Sequence, residues 1–389
     1  MIFENLIEEK SALSGFCHIP LIYFCRKTKK ILSPCKKNHI MKYFSSLFLT
    51  IISFSISAQV DESKHLKNIT QLTFGGDNAE AYFSFDGKNL SCQITNPKWD
   101  IPCDQIFDID IAKASNDSTY RPNLISTGKG RTTCSYYMPD NEHILYASTH
   151  LGSEACPPVP APRADHKYLW AIYPEFDIFV ADKKGNVVKQ LTNTAGYDAE
   201  ATVSPDGKKI VFTSTRSGDL ELYTMDIDGS NLKQITFQLG YDGGAFFSPD
   251  SKRLVFRSSR PKSDAEIKEY TDLLAQGLVM PTDMEIYTVN VDGTDLKQVT
   301  NLGKANWAPF YTPSGNKIVF SSNHASKRGY DFQLYSINTD GTGLEQITSE
   351  SIFNAFPMFS PDGKKLVWSS NRNNGGTRDT NLFIADWIE

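Results

Sequence analysis

The 389-residue chain lacks the short motifs that mark common catalytic classes. It has no Gly-x-Ser-x-Gly segment, which excludes the strained nucleophile elbow of an esterase-type hydrolase. It has no His-Glu-x-x-His segment, which would set two metal ligands one helical turn apart. Histidine is scarce, at seven in the whole chain. An excess of positive charge is also missing, since the formal net charge is −5. No apolar run reaches the roughly 20 residues that a comfortable bilayer crossing needs.

The apolar stretch from Tyr43 to Ile56 follows Met41-Lys42 and ends in Ser57-Ala58-Gln59. A single positive charge, a short apolar core and small residues at its end have the form of a secretory signal peptide over 41–58. No cysteine follows the run, which argues against a lipoprotein anchor. Residues 1–40 place a basic stretch with Cys17, Cys25 and Cys35 ahead of it. The simplest reading is an upstream, non-native extension, with translation starting at Met41. Residues 1–58 carry 8 of the 40 basic and 3 of the 45 acidic residues. The remaining 59–389 then holds 32 basic and 42 acidic residues, a net charge of −10. That balance disfavours nucleic acid or an anionic membrane as partner. The expected location is the periplasm or the exterior. Four cysteines remain there, Cys92, Cys103, Cys134 and Cys156. An even count in an exported chain permits disulfides.

What the chain does have is a repeat. Phe359-Ser360-Pro361-Asp362-Gly363 joins two apolar strands. Proline presets φ for the first half of a tight turn, and glycine suits the positive φ after it. Related turns stand at Phe83–Gly87, Tyr137–Asn141, Val203–Gly207, Phe247–Ser251 and Tyr311–Gly315. Their spacing of 44 to 66 residues is that of one repeat architecture rather than of two unrelated domains.

Each turn is followed by an apolar strand, such as Lys209-Ile210-Val211-Phe212. A third strand carries a polar residue before an apolar–aromatic pair, as in Glu221-Leu222-Tyr223, and a short fourth ends in threonine, as in Lys233-Gln234-Ile235-Thr236. Four antiparallel strands in each of six repeats predict an all-β, six-bladed β-propeller over 59–389. The last repeat lacks a fourth strand. Ile69-Thr70-Gln71-Leu72-Thr73 is one too many at the other end, with Thr73 placed before Asp86 as Thr127 is before Asp140. The N-terminal strand should therefore complete the last blade and close the ring, leaving no open sheet edge.

These Ser-Pro-Asp-Gly-Lys-Lys-Leu-Val segments resemble the WD40-like PD40 repeats of the TolB-type propeller. The resemblance runs from about residue 69 to 387. It implies a propeller fold, and it says less about function, which resides in a site rather than in a fold. Oligogalacturonate lyases are built on similar repeats and use a His-rich metal site.

By topology, the Pro-Asp-Gly turns lie at one end of the ring, the bottom. The connections between second and third strands, and those between blades, lie at the top. Two of these top connections are long, 150–175 and 260–283. The second should hold a helix, since Ser263-Asp264-Ala265-Glu266 is a capping box and Ile267, Tyr270, Leu273 and Leu274 form a stripe.

Eight residues before each turn aspartate, or before Ser314, stand Asn78, Thr132, Asp198, Asp242, Asn306 and Asn354. Six residues before stand Glu80, Cys134, Glu200, Gly244, Ala308 and Phe356. The first set is uniformly short and polar, which suits either strand capping or a channel mouth. The second set varies, as an asymmetric pocket on a quasi-symmetric scaffold requires. A further ring, His150, Arg216, Arg260, His324 and Arg372, stands at the ends of the second strands.

Asn78, Glu80, Asp198, Glu200, Asp242, Asn306, Trp307, Asn354, His324 and Arg372 are thus the expected ligand-binding residues. Cys103, Cys134 and Cys156 are the disulfide candidates, and Cys92 is expected to be a free buried thiol. The expected function is an exported, monomeric binding module without catalysis or cofactor of its own and without a membrane span once processed. It would recognise a protein, peptide or glycan on its top face. The rival expectation is a metal-assisted polysaccharide lyase or hydrolase using His150, His166, His324 and the acidic residues of the top face.

Overall fold

The structure, a computed structural model, describes residues 60–165 and 167–389. The expected extension 1–40 and signal peptide 41–58 lie outside the described residues, as does His166. Among the described residues, no helix is long and apolar enough to cross a membrane.

Six four-stranded antiparallel sheets follow one another as blades, as the repeat predicts. Blade one is Asp77–Phe83, Asn89–Asn96, Ile101–Asp110 and Asn123–Leu124. Blade two is Thr132–Tyr137, His143–Ser148, Asp177–Asp182 and Val187–Gln190. Blades three, four and five begin with Asp198–Val203, Asp242–Phe247 and Asn306–Tyr311. Blade six takes Asn354–Phe359, Lys365–Ser370 and Asn381–Trp387 from the C-terminal end. Its fourth strand is Leu66–Gln71, with Leu66 opposite Trp387 and Thr70 opposite Ile384. The ring therefore closes through the N-terminal strand. Just before that strand, the buried Glu62 carboxylate is paired with Arg372 at 3.1 Å and accepts from the Ser349 and Glu350 amides.

The bottom turns show why the repeat is so regular. Gly87, Gly207, Gly315 and Gly363 have φ between +70° and +72°, a region that costs other residues of the order of 1 kcal/mol or more. Asn141 and Ser251 adopt the same conformation, with φ +60° and +61°. Each uses its side chain to accept from the preceding blade, Asn141 from the Asp86 amide and Ser251 from the Asp206 amide, at 3.0 and 3.1 Å. At the other end of each blade, Thr73, Thr192, Thr236, Thr300 and Thr348 accept from a third-strand amide. In blade one Ser126 does this, bonding the Ile106 amide at 2.9 Å, and not Thr127. Ser126 stands 14 residues before Asp140, the same spacing as Thr192 before Asp206.

The bottom half of the central channel is filled. Tyr82, Tyr136, Phe246, Phe310 and Met358 stand four residues before their turns. Tyr82 meets Phe246 of blade four at 5.5 Å between ring centroids, and Phe246 meets Phe310 at 5.1 Å. Any concave site in the channel must lie above this layer.

Candidate binding site

The first strand of every blade is bulged at one point. In blade three Ala199 faces Thr213, but the next recorded pair is Thr202 with Val211. The residues at these bulges are Glu80, Cys134, Glu200, Gly244, Ala308 and Phe356, with φ between +40° and +59°. Five of the six are not glycine, so each holds a sparsely populated left-handed conformation that its surroundings must enforce. A bulge re-aims its side chain. Here it adds the bulged residue to the face that the residues seven and nine before the turn already share.

That face lines a cavity of about 140 Å³ in the upper channel. Its walls include Glu80, Cys134, Glu200 and Phe356 at the bulges, Thr133 and Trp307 seven before the turn, and Arg131, Tyr197 and Tyr241 nine before it. It has room for several waters or for one side-chain tip.

The two long insertions roof the cavity. Trp170–Ala171, from the blade-two insertion, pairs antiparallel with Leu278–Val279, from the blade-four insertion. The Ile172 amide extends the ladder to the Gly277 carbonyl at 2.7 Å. Below it, the Trp170 ring lies 5.3 Å from that of Trp307. Trp307 stacks on Phe332 at 4.4 Å and donates its indole N–H to the Pro281 carbonyl at 2.9 Å. The expected helix is present as Asp264–Leu274, with both halves of the Ser263–Glu266 capping box formed and Tyr270 and Leu273 buried. Arg163 reaches from one insertion to Glu269 of this helix at 3.1 Å. Cys103 and Cys156 form a disulfide that ties the blade-two insertion to blade one. Cys134 and Cys92 are free and buried.

The charges inside the cavity are unequally matched. Glu200 accepts from the Tyr241 and Thr213 hydroxyls, each at 2.7 Å, and from the Gly244 amide at 3.0 Å. It is also ion-paired with Arg257, whose guanidinium lies over the Trp170 ring at 4.9 Å from the centroid. Gly243 and Gly244 make this cluster possible. A Cβ on Gly243 would overlap Glu200 and Tyr241, and one on Gly244 would overlap the Arg257 guanidinium. Arg131 is paired with Asp104 at 2.7 Å. Glu80 has no cation of its own. Its one hydrogen-bond partner among the described residues is the Cys134 thiol, at 2.8 Å. Burial raises its pKa to about 7; the Cys134 hydrogen bond and the Arg257 charge pull the other way, and the Glu200 and Asp104 charges add to the rise. Burial, followed by the Glu80 charge, pushes the Cys134 thiol well above its ordinary range, so it is protonated and a poor nucleophile.

Of the expected site residues, Glu80, Glu200 and Trp307 line the cavity, whereas the others lie off its walls. Asp198 is buried against Arg216 at 2.8 Å and Asp242 against Arg260 at 2.7 Å. Asn354 accepts from Arg372 at 3.1 Å. Asn306 accepts from Ser322, whose hydroxyl also meets His324 Nδ1 at 2.9 Å. Asn78 donates to the Thr380 and Gly75 carbonyls. In blades three to six the two polar rings seen in the sequence thus meet within the blade, whereas Asn78 and Thr132 bond carbonyls of the preceding blade. Strand alternation is the reason: residue eight before the turn points away from the face shared by seven and nine. His150 bonds Ser148 at 2.9 Å and packs on Phe179 of its own blade. Among the described residues, no group of three or more His, Cys, Asp or Glu is placed to hold a metal ion.

Sequence reasoning did not single out Asp104, Arg131, Tyr168, Trp170, Tyr197, Tyr241 or Arg257. A signal existed for some of them. Arg131, Tyr197 and Tyr241 each immediately precede a residue of the eight-back set.

The fold and its cavity define a six-bladed β-propeller with a partly roofed pocket in the upper channel. The family model of the TolB beta propeller domain, PD40, matches residues 173–279 and 268–384, more than half of the chain. The chain belongs to this family. Among solved structures it is similar to a putative TolB from Agrobacterium tumefaciens, 20% identical, covering 81% of this chain and 91% of that one at a TM-score of 0.52. It is also similar to a gluconolactonase from Xanthomonas campestris, 12% identical, covering 84% and 92% at a TM-score of 0.51. An oligogalacturonate lyase in complex with manganese is 14% identical over 82% and 80%, at a TM-score of 0.48. At these identities the likenesses speak to the fold alone. No curated protein matches the chain.

Proposed function

We propose that this chain is an exported TolB-like propeller that binds a protein, peptide or glycan on its top face, without catalysis of its own. One observation carries the reading. Two insertions from non-adjacent blades pair with each other over the channel and partly roof a cavity walled by aromatic rings and by charge of both signs. A pocket with a few convergent polar groups and aromatic walls suits binding. The cavity is below the roughly 300 Å³ of a typical small-molecule site, so it accepts one group of a larger ligand whose remainder lies on the roof. Phe237 and Leu239, exposed in the connection between blades three and four, widen that contact face.

The test is a screen of peptide and glycan arrays with the full chain, followed by variants. Phe237→Ala and Tyr168→Ala are expected to weaken binding of any hit several-fold with the fold intact. Asp206→Ala, in a bottom turn, should cost stability and leave affinity unchanged. The opposite pattern would move the ligand off the top face.

A further inference from the structure

We infer that the cavity receives a cationic amine, a lysine side chain or N-terminal ammonium of a peptide, and that Glu80 is its counter-ion. The inference rests on the top-face reading above and names the group that enters. Three observations on the cavity walls lead to it.

The first is the charge inventory. The groups that face Glu80 are Cys134, Arg257, Glu200, Asp104 and Tyr82. Arg257 is engaged by Glu200, and Arg131, the other arginine of the cavity, by Asp104. The thiol and the phenol are held neutral by burial. Of the carboxylates on the cavity walls, Glu80 is left as the one without an ion pair, although it is only 8% exposed. An ionised carboxylate so placed is costly unless an opposite charge reaches it.

The second is the wall. Tyr168, Trp170, Tyr197, Tyr241, Trp307 and Phe356 present aromatic surface to the same space. Ring faces attract cations, most strongly where water is excluded. The third is size. A space of about 140 Å³ fits an ammonium on a short alkyl stem. Glu80 also sits on a bulge with φ +54°, a strained backbone position that aims its carboxyl inward. The raised pKa of Glu80 adds a sign. An alkylammonium stays charged through neutral pH, so its affinity should fall as pH drops through about 7 and Glu80 takes up a proton.

The experiment titrates the full chain with n-butylammonium, and in parallel with its neutral analogue n-butanol, following the fluorescence of the cavity tryptophans. Saturable binding of butylammonium is expected, weakened roughly ten-fold or more in Glu80→Gln, the scale of one hydrogen bond to a charged group. Circular dichroism of Glu80→Gln establishes that it folds. Asp206→Ala, in a bottom turn away from the cavity, serves as the comparison and should bind butylammonium as the parent does. Equal response to butanol and butylammonium, no saturable response, or unchanged affinity in Glu80→Gln would each overturn the inference. If array hits still depend on Phe237 and Tyr168 in that case, the top-face reading stands without the amine. If butylammonium binds through Glu80 but array hits ignore the top-face variants, the top-face reading falls instead.

Discussion

Trp170 faces Val279 across a two-stranded ladder, although one belongs to the insertion of blade two and the other to that of blade four. Blade three lies between them in the ring, so this pairing spans a blade that contributes no strand to it. Trp170 also contacts Trp307 and the Arg257 guanidinium. The roof is therefore joined to the cavity floor by ring contacts as well as held at its own ladder.

Trp170→Ala should loosen that roof. A loss of about 1–3 kcal/mol is expected from the removed ring and cation–π contacts. Hydrogen exchange at the Ile172 amide, which bonds the Gly277 carbonyl, should quicken, while amides of blade five keep their protection. Unaltered exchange at Ile172 would show that the ladder stands without the tryptophan.

Gly244→Ala should be severe for a specific reason. The new methyl would overlap the Arg257 guanidinium at a position already in left-handed backbone. About 2–4 kcal/mol is expected from overpacking and strain together. A double-mutant cycle with Arg257→Gln, measured by urea unfolding, should show strong coupling. Additive effects would mean that Arg257 simply moves aside.

Stability should fall as pH rises through neutrality. Burial raises Glu80 to about 7 and raises the neighbouring Asp242 and Glu221 carboxyls above the ordinary carboxylate range. A carboxyl with a raised folded pKa contributes stability below its unfolded value of about 4.5 for glutamate. That contribution is lost as pH climbs through the folded value. Unfolding free energy should thus decrease between about pH 5 and pH 8 by a few kcal/mol. Glu80→Gln should flatten part of that slope and be more stable, relative to the parent, at the higher pH. A parent slope of the other sign would contradict the burial of these three groups.

Thiol chemistry gives a further check. Cys134 and Cys92 are buried, and burial raises both thiols. Neither should be alkylated in the native protein, and both should be in denaturant. Peptide mapping should recover Cys103 joined to Cys156. Rapid native alkylation of Cys134 would mean that the roof opens often enough to admit reagent.

The fold was legible because its punctuation is local. A Ser-Pro-Asp-Gly segment sets its own turn, and the same turn chemistry repeats whatever the strands beside it contain. Ring closure was legible too, from the surplus strand ending at Thr73. The site was harder to read because two of its determinants are not local. A bulge at Glu80 and its equivalents breaks the period-two rule, so counting placed Asp198 and Glu200 on one face when they point to different ones. The meeting of Trp170 with Val279 depends on two insertions far apart in the chain. Neither insertion announces the other, since each is short of the alternating pattern that marks a strand.

The closure of blade six by Leu66–Gln71 has a consequence for biosynthesis. Leu66–Gln71 is made before blades one to five, yet its partner Asn381–Trp387 is made after them. Until then the early strand is an unmatched edge, and the growing molecule is an open arc with a sticky end. Blades one to five can assemble in order as they emerge, but the circle is sealed only once Asn381–Trp387 has been made. A stalled or truncated chain would therefore expose an edge primed for pairing with another copy, which makes completeness of synthesis a condition for solubility.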